Sequence, residues 1–562
     1  MVIVDQRSTN ANIRGSFLAR FRSNHPILSA TLLLLAVQGI ISIGLWRGGA
    51  PLTEEGVHIL RSYSINSSPK TWTNLFHVFY RLLLWIIDDP VDAHLVYRFI
   101  VAQSSVIVLW RILRAFGLSW NAATLSCLFW IGFGLANPIV QSSNTNLFCF
   151  SIAGYGLSLI LERMSWMRML SCAILWLVAA GTRPEYALPL VLLLVYWGWL
   201  LLGSMKWYFK AIITAAVATV FVAAASLFDL RSINSYLTIS LWQCYAWQYA
   251  RSHPGLEIEV FNEYKTVIDS VFGHPRTFLE TIANNPFEIF RYVCINSSRN
   301  LVLLLPGLAS NVRGMIASPR NPYTIISLVA TLGLLTTGSW LAYRKSKILI
   351  KSWRPLVLLG VFGSGSAVAV LILLPGSRYW MELVPFIYIW LGIALEAVLF
   401  AVSRGARIAA LLIGAVGLLW PMPWEKGNNR EPINMVSRSL AGMADPVIGA
   451  SFPEPWVAFG LRGRGKGVYL LQKANETTAD SPYVLESSGT DDCLRQTCDL
   501  VVINKDVRAS RAWREHSASF ALLQPQAEVF DLIYTTSNLD FYLRKKPQAH
   551  PEPAPVSWTP PI

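Results

Sequence analysis

Charge is what this chain has least of. Asp, Glu, Lys and Arg make up 14% of its 562 residues, where a soluble domain carries about a quarter. That scarcity excludes a large soluble enzyme. The matching excess, 53% hydrophobic residues, falls in runs near the length of a bilayer crossing. A basic patch on a soluble module is also missing, so the net charge of +14 does not point to nucleic acid. The Lys and Arg residues cluster instead in short loops between apolar runs, the pattern of cytoplasmic anchoring. No small-residue cleavage site follows the first apolar run. The N-terminus, with Arg7, Arg14, Arg20 and Arg22, therefore reads as a cytoplasmic tail and not as a cleaved signal. There is no internal repeat. Of the seven cysteines, five lie in or near apolar segments and read as core. Cys493 and Cys498 sit close together in a polar region, where two free thiols and a disulfide are both open, the latter if that region is extracytoplasmic.

These features predict a polytopic α-helical membrane protein with about eleven transmembrane helices and a small C-terminal extracytoplasmic α/β domain. Residues 1–26 are the cytoplasmic tail and 27–421 the membrane domain, with extracytoplasmic loops at 47–94 and 229–319. Residues 422–546 form the α/β domain, with strand-like runs at about 446–450, 468–471, 500–504, 529–534 and 541–544. Residues 547–562 are a proline-rich tail that reads as disordered. Single crossings are expected near 27–46, 95–113, 122–138, 147–161, 211–228, 323–343, 356–374, 386–402 and 408–420.

The run 169–203 is too long for one crossing and short for two, yet basic residues flank both ends, which requires two. Its one polar break is Thr182-Arg183-Pro184-Glu185-Tyr186. A helix over 169–181 rises only about 20 Å against a hydrocarbon core of about 30 Å, so the break is expected at membrane depth. Charge is tolerated there only inside protein or beside a wet cavity. Arg183 and Glu185 pair as a structural lock, or Arg183 faces an anionic group.

In the first external loop, Trp72, Leu75, Phe76, Phe79, Leu82, Leu83 and Ile86 recur at helical spacing. His77, Tyr80 and Arg81 occupy the other sides, as in a helix lying flat in the interface. The segment 229–319 is rich in aromatics (Trp242, Tyr245, Trp247, Tyr249) beside Arg251 and His253. These either stack on a ligand, as indole rings do on sugars, or anchor the segment at the interface. Its later part reads as amphipathic helices.

Two adjacent carboxylates, Glu54 and Glu55, follow the first span, with His58 one turn beyond Glu54. As a bare pattern, Thr53 and two glutamates are a helix cap with dipole-complementing charge. Beside a membrane span and ahead of an interfacial helix, such a carboxylate can also take the proton of an attacking hydroxyl. Arg378, followed by Tyr379, lies between two late spans. It either snorkels to the interface or holds a phosphate, which a guanidinium grips by paired hydrogen bonds.

Taken in order, these residues resemble the glycosyltransferase-C (GT-C) superfamily of integral membrane sugar transferases, such as protein mannosyltransferases and lipid A aminoarabinose transferases. In those families an acidic pair follows the first span, here Glu54-Glu55. An amphipathic helix and an Arg at the start of the next span come next, here residues 71–87 and Arg98. A polar break in a short-span pair matches Thr182-Arg183-Pro184-Glu185, and a late Arg-Tyr with a following proline matches Arg378-Tyr379 and Pro385. The resemblance implies an inverting transfer from a polyprenyl-phosphate-linked sugar donor to an extracytoplasmic glycan, glycolipid or protein acceptor, on the outer side of a bacterial inner (plasma) membrane. It makes Glu54 or Glu55 the catalytic base and Arg378, with Arg183, the donor-phosphate ligands. His58, Arg98, Tyr379 and Glu185 are supporting residues. The family's first acid is usually aspartate, so glutamate here leaves open which of the pair is the base. No cofactor is assigned. Some members bind a divalent metal near the acid, but this sequence offers no second acidic ligand for one. The rival readings are a secondary transporter or flippase of a lipid-linked or anionic substrate, and a membrane scaffold.

Overall fold

The computed structural model describes residues 26–48, 74–87, 90–131, 144–204, 230–253, 260–309, 354–372 and 382–400, a few single positions, and short stretches between 448 and 545. The described chain is mostly helical and carries one six-stranded sheet. Among the described residues three helices are long and apolar enough to cross a membrane, Val96–Ala115, Thr145–Glu162 and Arg354–Leu371. They coincide with three of the expected crossings. The expected crossings near 211–228, 323–343 and 408–420 fall almost wholly outside the described residues.

The helices are α1 (Pro26–Gly48), α2 (Asn74–Leu84), α3 (Pro90–Ala115), α4 (Trp120–Trp130), α5 (Asn144–Glu162), α6 (Trp166–Ala180), α7 (Ala187–Ser204), α8 (Leu230–Ser252), α9 (Val260–Phe272), α10 (Phe278–Asn284), α11 (Pro286–Ala309), α12 (Arg354–Ile372) and α13 (Val384–Phe400). At the centre is α5, packed between α3 and α6. Small residues permit that contact. A Cβ on Gly156 would lie 3.1 Å from the Cα of Cys172 in α6, and one on Gly154 would press to 2.6 Å from Val108 of α3. Where lipid is as apolar as leucine, close approach and dispersion hold helices together better than burial alone. Trp176 of α6 closes the contact: its indole N–H donates to the Ala153 carbonyl at 2.8 Å, and its ring meets Phe362 of α12 at 5.8 Å. Ser119 caps α4, and its own backbone N–H donates to Glu396 of α13 at 2.7 Å.

The interfacial segment forms helix α2 as its spacing predicts, but its faces differ from the expectation. Tyr80, read as off the apolar face, is fully buried, with its ring 5.9 Å from Tyr97 of α3. Leu82, Trp85 and Ile86 are exposed. A tyrosine ring is an apolar body with one polar tip, so it packs inward while the larger apolar side chains face outward.

The helices α8 to α11 gather around a second core containing Leu241, Trp242, Tyr245, Phe272 and Tyr292, which includes Ala369 and Val370 of α12. Asn296 of α11 donates its amide to the carbonyls of Val370 and Leu371, at 3.2 and 3.0 Å. Those are among the last carbonyls of α12, which have no partner inside their own helix.

The sheet contains β1 (Ile448–Ala450), β2 (Val468–Leu470), β3 (Val484–Leu485), β4 (Leu500–Asn504), β5 (Phe530–Thr535) and β6 (Leu539–Arg544) in the order β3-β2-β1-β4-β6-β5. The first four pair in parallel and the last two add an antiparallel hairpin. Five strands lie where the sequence places them, and β3 is additional. In β4, Leu500, Val501, Val502 and Ile503 are all buried, because both faces of this inner strand are covered. Arg544 is buried over the Phe530 ring and donates to the carbonyls of Cys498 and Leu494, at 2.7 and 3.1 Å. Cys498 is disulfide-bonded. Cys127, Cys149, Cys172, Cys244 and Cys294 are thiols outside any disulfide; Cys493 lies outside the described residues.

Candidate functional site

The 169–203 run divides as its flanking charges predict, into α6 and α7 with a break between them. Helix α6 has 15 residues, a rise of about 22 Å. It stops at Gly181 because Pro184 has no N–H and disfavours helical backbone at Arg183. The last amides turn back: those of Thr182 and Arg183 both donate to the Ala179 carbonyl, at 3.0 and 2.8 Å. Residues Pro184–Tyr186 form one tight turn before α7 begins.

The break presents Arg183 to the first turn of α5. Its Nε donates to Glu185 Oε1 at 2.5 Å, and Nη2 completes the ion pair. Nη1 donates to the Thr145 hydroxyl at 3.2 Å and to the Asn146 carboxamide oxygen. Every nitrogen of the guanidinium therefore has an acceptor. Of the two readings that the sequence left open, the pairing with Glu185 is present. An incoming anion would have to exchange with that carboxylate.

A second carboxylate completes the cluster. Glu382, in the turn before α13, is buried; the Tyr186 hydroxyl donates to its Oε1 and the Ser366 hydroxyl of α12 to its Oε2. Burial, with the nearby Glu185 charge adding to it, pushes the Glu382 carboxyl up to about 8 from an ordinary 4.5, and Arg183 offsets only part of this. Two glycines of α12 bring the pieces together. A Cβ on Gly365 would collide with the Glu185 carbonyl, and one on Gly363 would lie 2.9 Å from Leu383. The Cys149 thiol of α5 is close enough to feel the charges of Arg183, Glu185 and Glu382.

Of the residues singled out from the sequence, Arg183 and Glu185 are together here. Arg98 lies in α3, beside α5: the ring of its neighbour Tyr97 is 6.2 Å from Phe148, and the Ser151 hydroxyl reaches the Val101 carbonyl at 3.3 Å. Its Nη1 is buried and makes no hydrogen bond. Glu54, Glu55, His58, Arg378 and Tyr379 lie outside the described residues. Among the described residues no group of three or more His, Cys, Asp or Glu side chains could hold a metal ion.

Sequence reasoning named Tyr186 only as part of the break, and it did not place Glu382, Thr145, Asn146 or Ser366 in the site. Signals for them exist. Gly363-Ser364-Gly365-Ser366 interrupts an otherwise apolar span with small residues, and Asn144-Thr145-Asn146 opens another. The external aromatics need a correction too. Trp242 and Tyr245 are buried, donating to Thr281 and Glu288 at 2.9 Å each, so neither ring is open to a sugar. Arg251 lies over Trp247 at 3.6 Å, and Tyr249 stacks on His253. Asn296, in an Asn-x-Ser pattern, is buried and cannot carry a glycan.

No protein-family model and no curated protein matches this chain.

Proposed function

We propose that this chain is an integral membrane glycosyltransferase of GT-C type, moving a sugar from a polyprenyl-phosphate donor to an extracytoplasmic acceptor with inversion. The observation that carries the reading is the buried, unbonded Nη1 of Arg98. A buried donor without an acceptor costs free energy, and a phosphate oxygen is the acceptor a guanidinium fits best. Arg98 follows Tyr97, whose ring packs on Phe148 in the same early turns of α5 whose Thr145 and Asn146 hold Arg183. A lipid phosphate there would meet positive charge as it leaves the sugar, the kind of preorganised stabilisation that lowers such barriers. Glu54 or Glu55 takes the acceptor proton in this scheme, and Arg378 joins the phosphate ligands. The disulfide at Cys498 supports an oxidising, extracytoplasmic compartment for the sheet domain; in this scheme that is the outer side of a bacterial plasma membrane, with the N-terminus inside.

Sugar transfer from a panel of radiolabelled polyprenyl-phosphate sugars, in membranes carrying wild type, Arg98→Ala, Glu54→Gln, Glu55→Gln or Arg378→Ala, tests it. One glutamine variant is expected to abolish transfer at unchanged abundance. Arg98→Ala should lower it about 10²-fold, as loss of one charge-stabilising donor does. Transfer equal to wild type in all four variants sinks the site assignment.

A proton-coupled transporter is the second reading, favoured by one observation: a buried carboxyl, Glu382, that holds its proton near neutral pH. Uptake of a labelled anion driven by a pH gradient, without sugar transfer, would select it.

A further inference from the structure

We propose that Glu382 is a positioning residue that ties the turn entering α13 to the Thr182–Tyr186 break, and so holds Arg183 in place for the donor. Three elements that are far apart in sequence meet at this one carboxyl. Tyr186 of the break donates to one oxygen and Ser366 of α12 to the other. Two glycines of α12 permit the approach, Gly365 against the Glu185 carbonyl and Gly363 against Leu383. The hydroxyl of Tyr186 lies three residues from the guanidinium it steadies. Arg378, assigned to the donor phosphate by resemblance, lies four residues before Glu382 in the sequence.

The clamp works with the carboxyl protonated. The groups facing Glu382 are Arg183, Glu185 and Tyr186 of the break and Cys149 of α5, while Ser366 of α12 does not titrate. Glu185 is already satisfied by Arg183, so a second negative charge beside it would have no cation of its own among these groups. Ionisation of Glu382 sets like charges against each other in a dry place and loosens the break. The link to sugar transfer rests on the glycosyltransferase reading; the clamp stands without it.

The test is thermal unfolding of the purified full chain in detergent at pH 5, 7 and 9, for wild type, Glu382→Gln and Glu382→Ala. Glutamine keeps the shape, accepts from one hydroxyl at its oxygen, donates to the other from its nitrogen, and cannot ionise. The folded carboxyl titrates about 8 against an ordinary 4.5, so its contribution is full below 4.5, falls as pH rises to about 8, and is level above that. The unfolding temperature of wild type is therefore expected to fall relative to Glu382→Gln from pH 5 to 9, mostly before pH 8. The alanine variant, lacking both hydrogen bonds, should unfold below the glutamine variant at every pH. A wild-type-minus-glutamine difference that is constant with pH, or alanine equal to glutamine, overturns the proposal. Transfer rates give the second arm. The protonated fraction drops about tenfold from pH 7 to pH 9 for a group titrating near 8, so the wild-type rate should drop likewise and the Glu382→Gln rate should not. The same drop in both proteins overturns the link to transfer. If wild type moves no sugar from any donor, the glycosyltransferase reading fails, and unfolding alone decides the clamp.

Discussion

The two ends of α5 carry the same kinds of side chain under opposite conditions. At one end, Glu162 accepts from Arg111 at 2.7 Å and from Arg168 at 3.3 Å, with the carboxylate 36% and the cations 24% and 35% exposed. At the other, Arg183 and Glu185 are only about 15% exposed, and a further carboxyl, Glu382, is buried beside them. The first end has two cations for one carboxylate and water around all three. The second has one cation for two carboxylates, and protein where water would be. What distinguishes a structural lock from a site with chemical capacity is therefore the access of solvent and the balance of charge, since the ion pairs look alike in outline. At the exposed end, water replaces whatever partner is lost. At the buried end nothing does, so each group there depends on the others, and burial pushes the Glu382 carboxyl toward its protonated form.

The sharpest way to break this comparison is to remove the shared cation. Arg183→Ala leaves Glu185 without its counter-charge and frees the acceptors on Thr145 and Asn146. Removing one member of a buried pair costs about 3–5 kcal/mol, so the variant should unfold far earlier in detergent or fail to accumulate. The double variant Arg183→Leu with Glu185→Leu should be milder than Arg183→Ala, because no orphan charge remains. If the double variant is the worse of the two, the pair is stabilising in its own right.

The next effect is steric. Gly365 has no room for a Cβ against the Glu185 carbonyl, whereas Gly360, one and a half turns earlier in α12, faces open space. Gly365→Val overpacks the contact and should cost about 1–3 kcal/mol. Gly360→Ala should not destabilise, and helix propensity favours it by up to about 1 kcal/mol. Unfolding curves of the two side by side measure whether α12 is held by the break or merely lies near it. Equal curves would mean the latter.

How much of this the sequence carries follows from what each feature depends on. The break was legible because it is local: a proline, two opposite charges and a run of the wrong length fix its position, and basic flanks fix its direction. The strands of the sheet were legible for the same reason, as apolar runs bounded by polar segments; only the two-residue β3 was too short to register. The other members of the cluster were not legible. Thr145, Asn146, Ser366 and Glu382 come from three other parts of the chain, and what brings them together is helix packing through Gly363 and Gly365, which no single-sequence pattern encodes. Burial was the other blind spot. Trp242, Tyr245 and Tyr80 read as surface or interface aromatics, yet each packs inward, because a Tyr or Trp looks the same in sequence whether its polar tip meets a partner or water.

The smallest expected effect sharpens the comparison from its exposed side. Arg168→Ala removes one of the two cations on Glu162 and a hydrogen bond to the Leu159 carbonyl at 3.0 Å. Arg111 remains, gripping Glu162 Oε1 through both Nε and Nη2, at 3.0 and 2.7 Å, so the carboxylate is not orphaned. The carbonyl lies in the last turn of α5, where water can take the donor's place. The expected loss is that of an exposed pair, about 0–1 kcal/mol. Most of it should vanish when ionic strength is raised from roughly 0.05 to 0.5 M, because salt screens exposed charges. The deficit of Arg183→Ala, measured in the same two buffers, should barely move. A loss at Arg168 that is large and insensitive to salt would place that end of α5 out of reach of solvent, and the contrast between the two ends would then rest on charge balance alone.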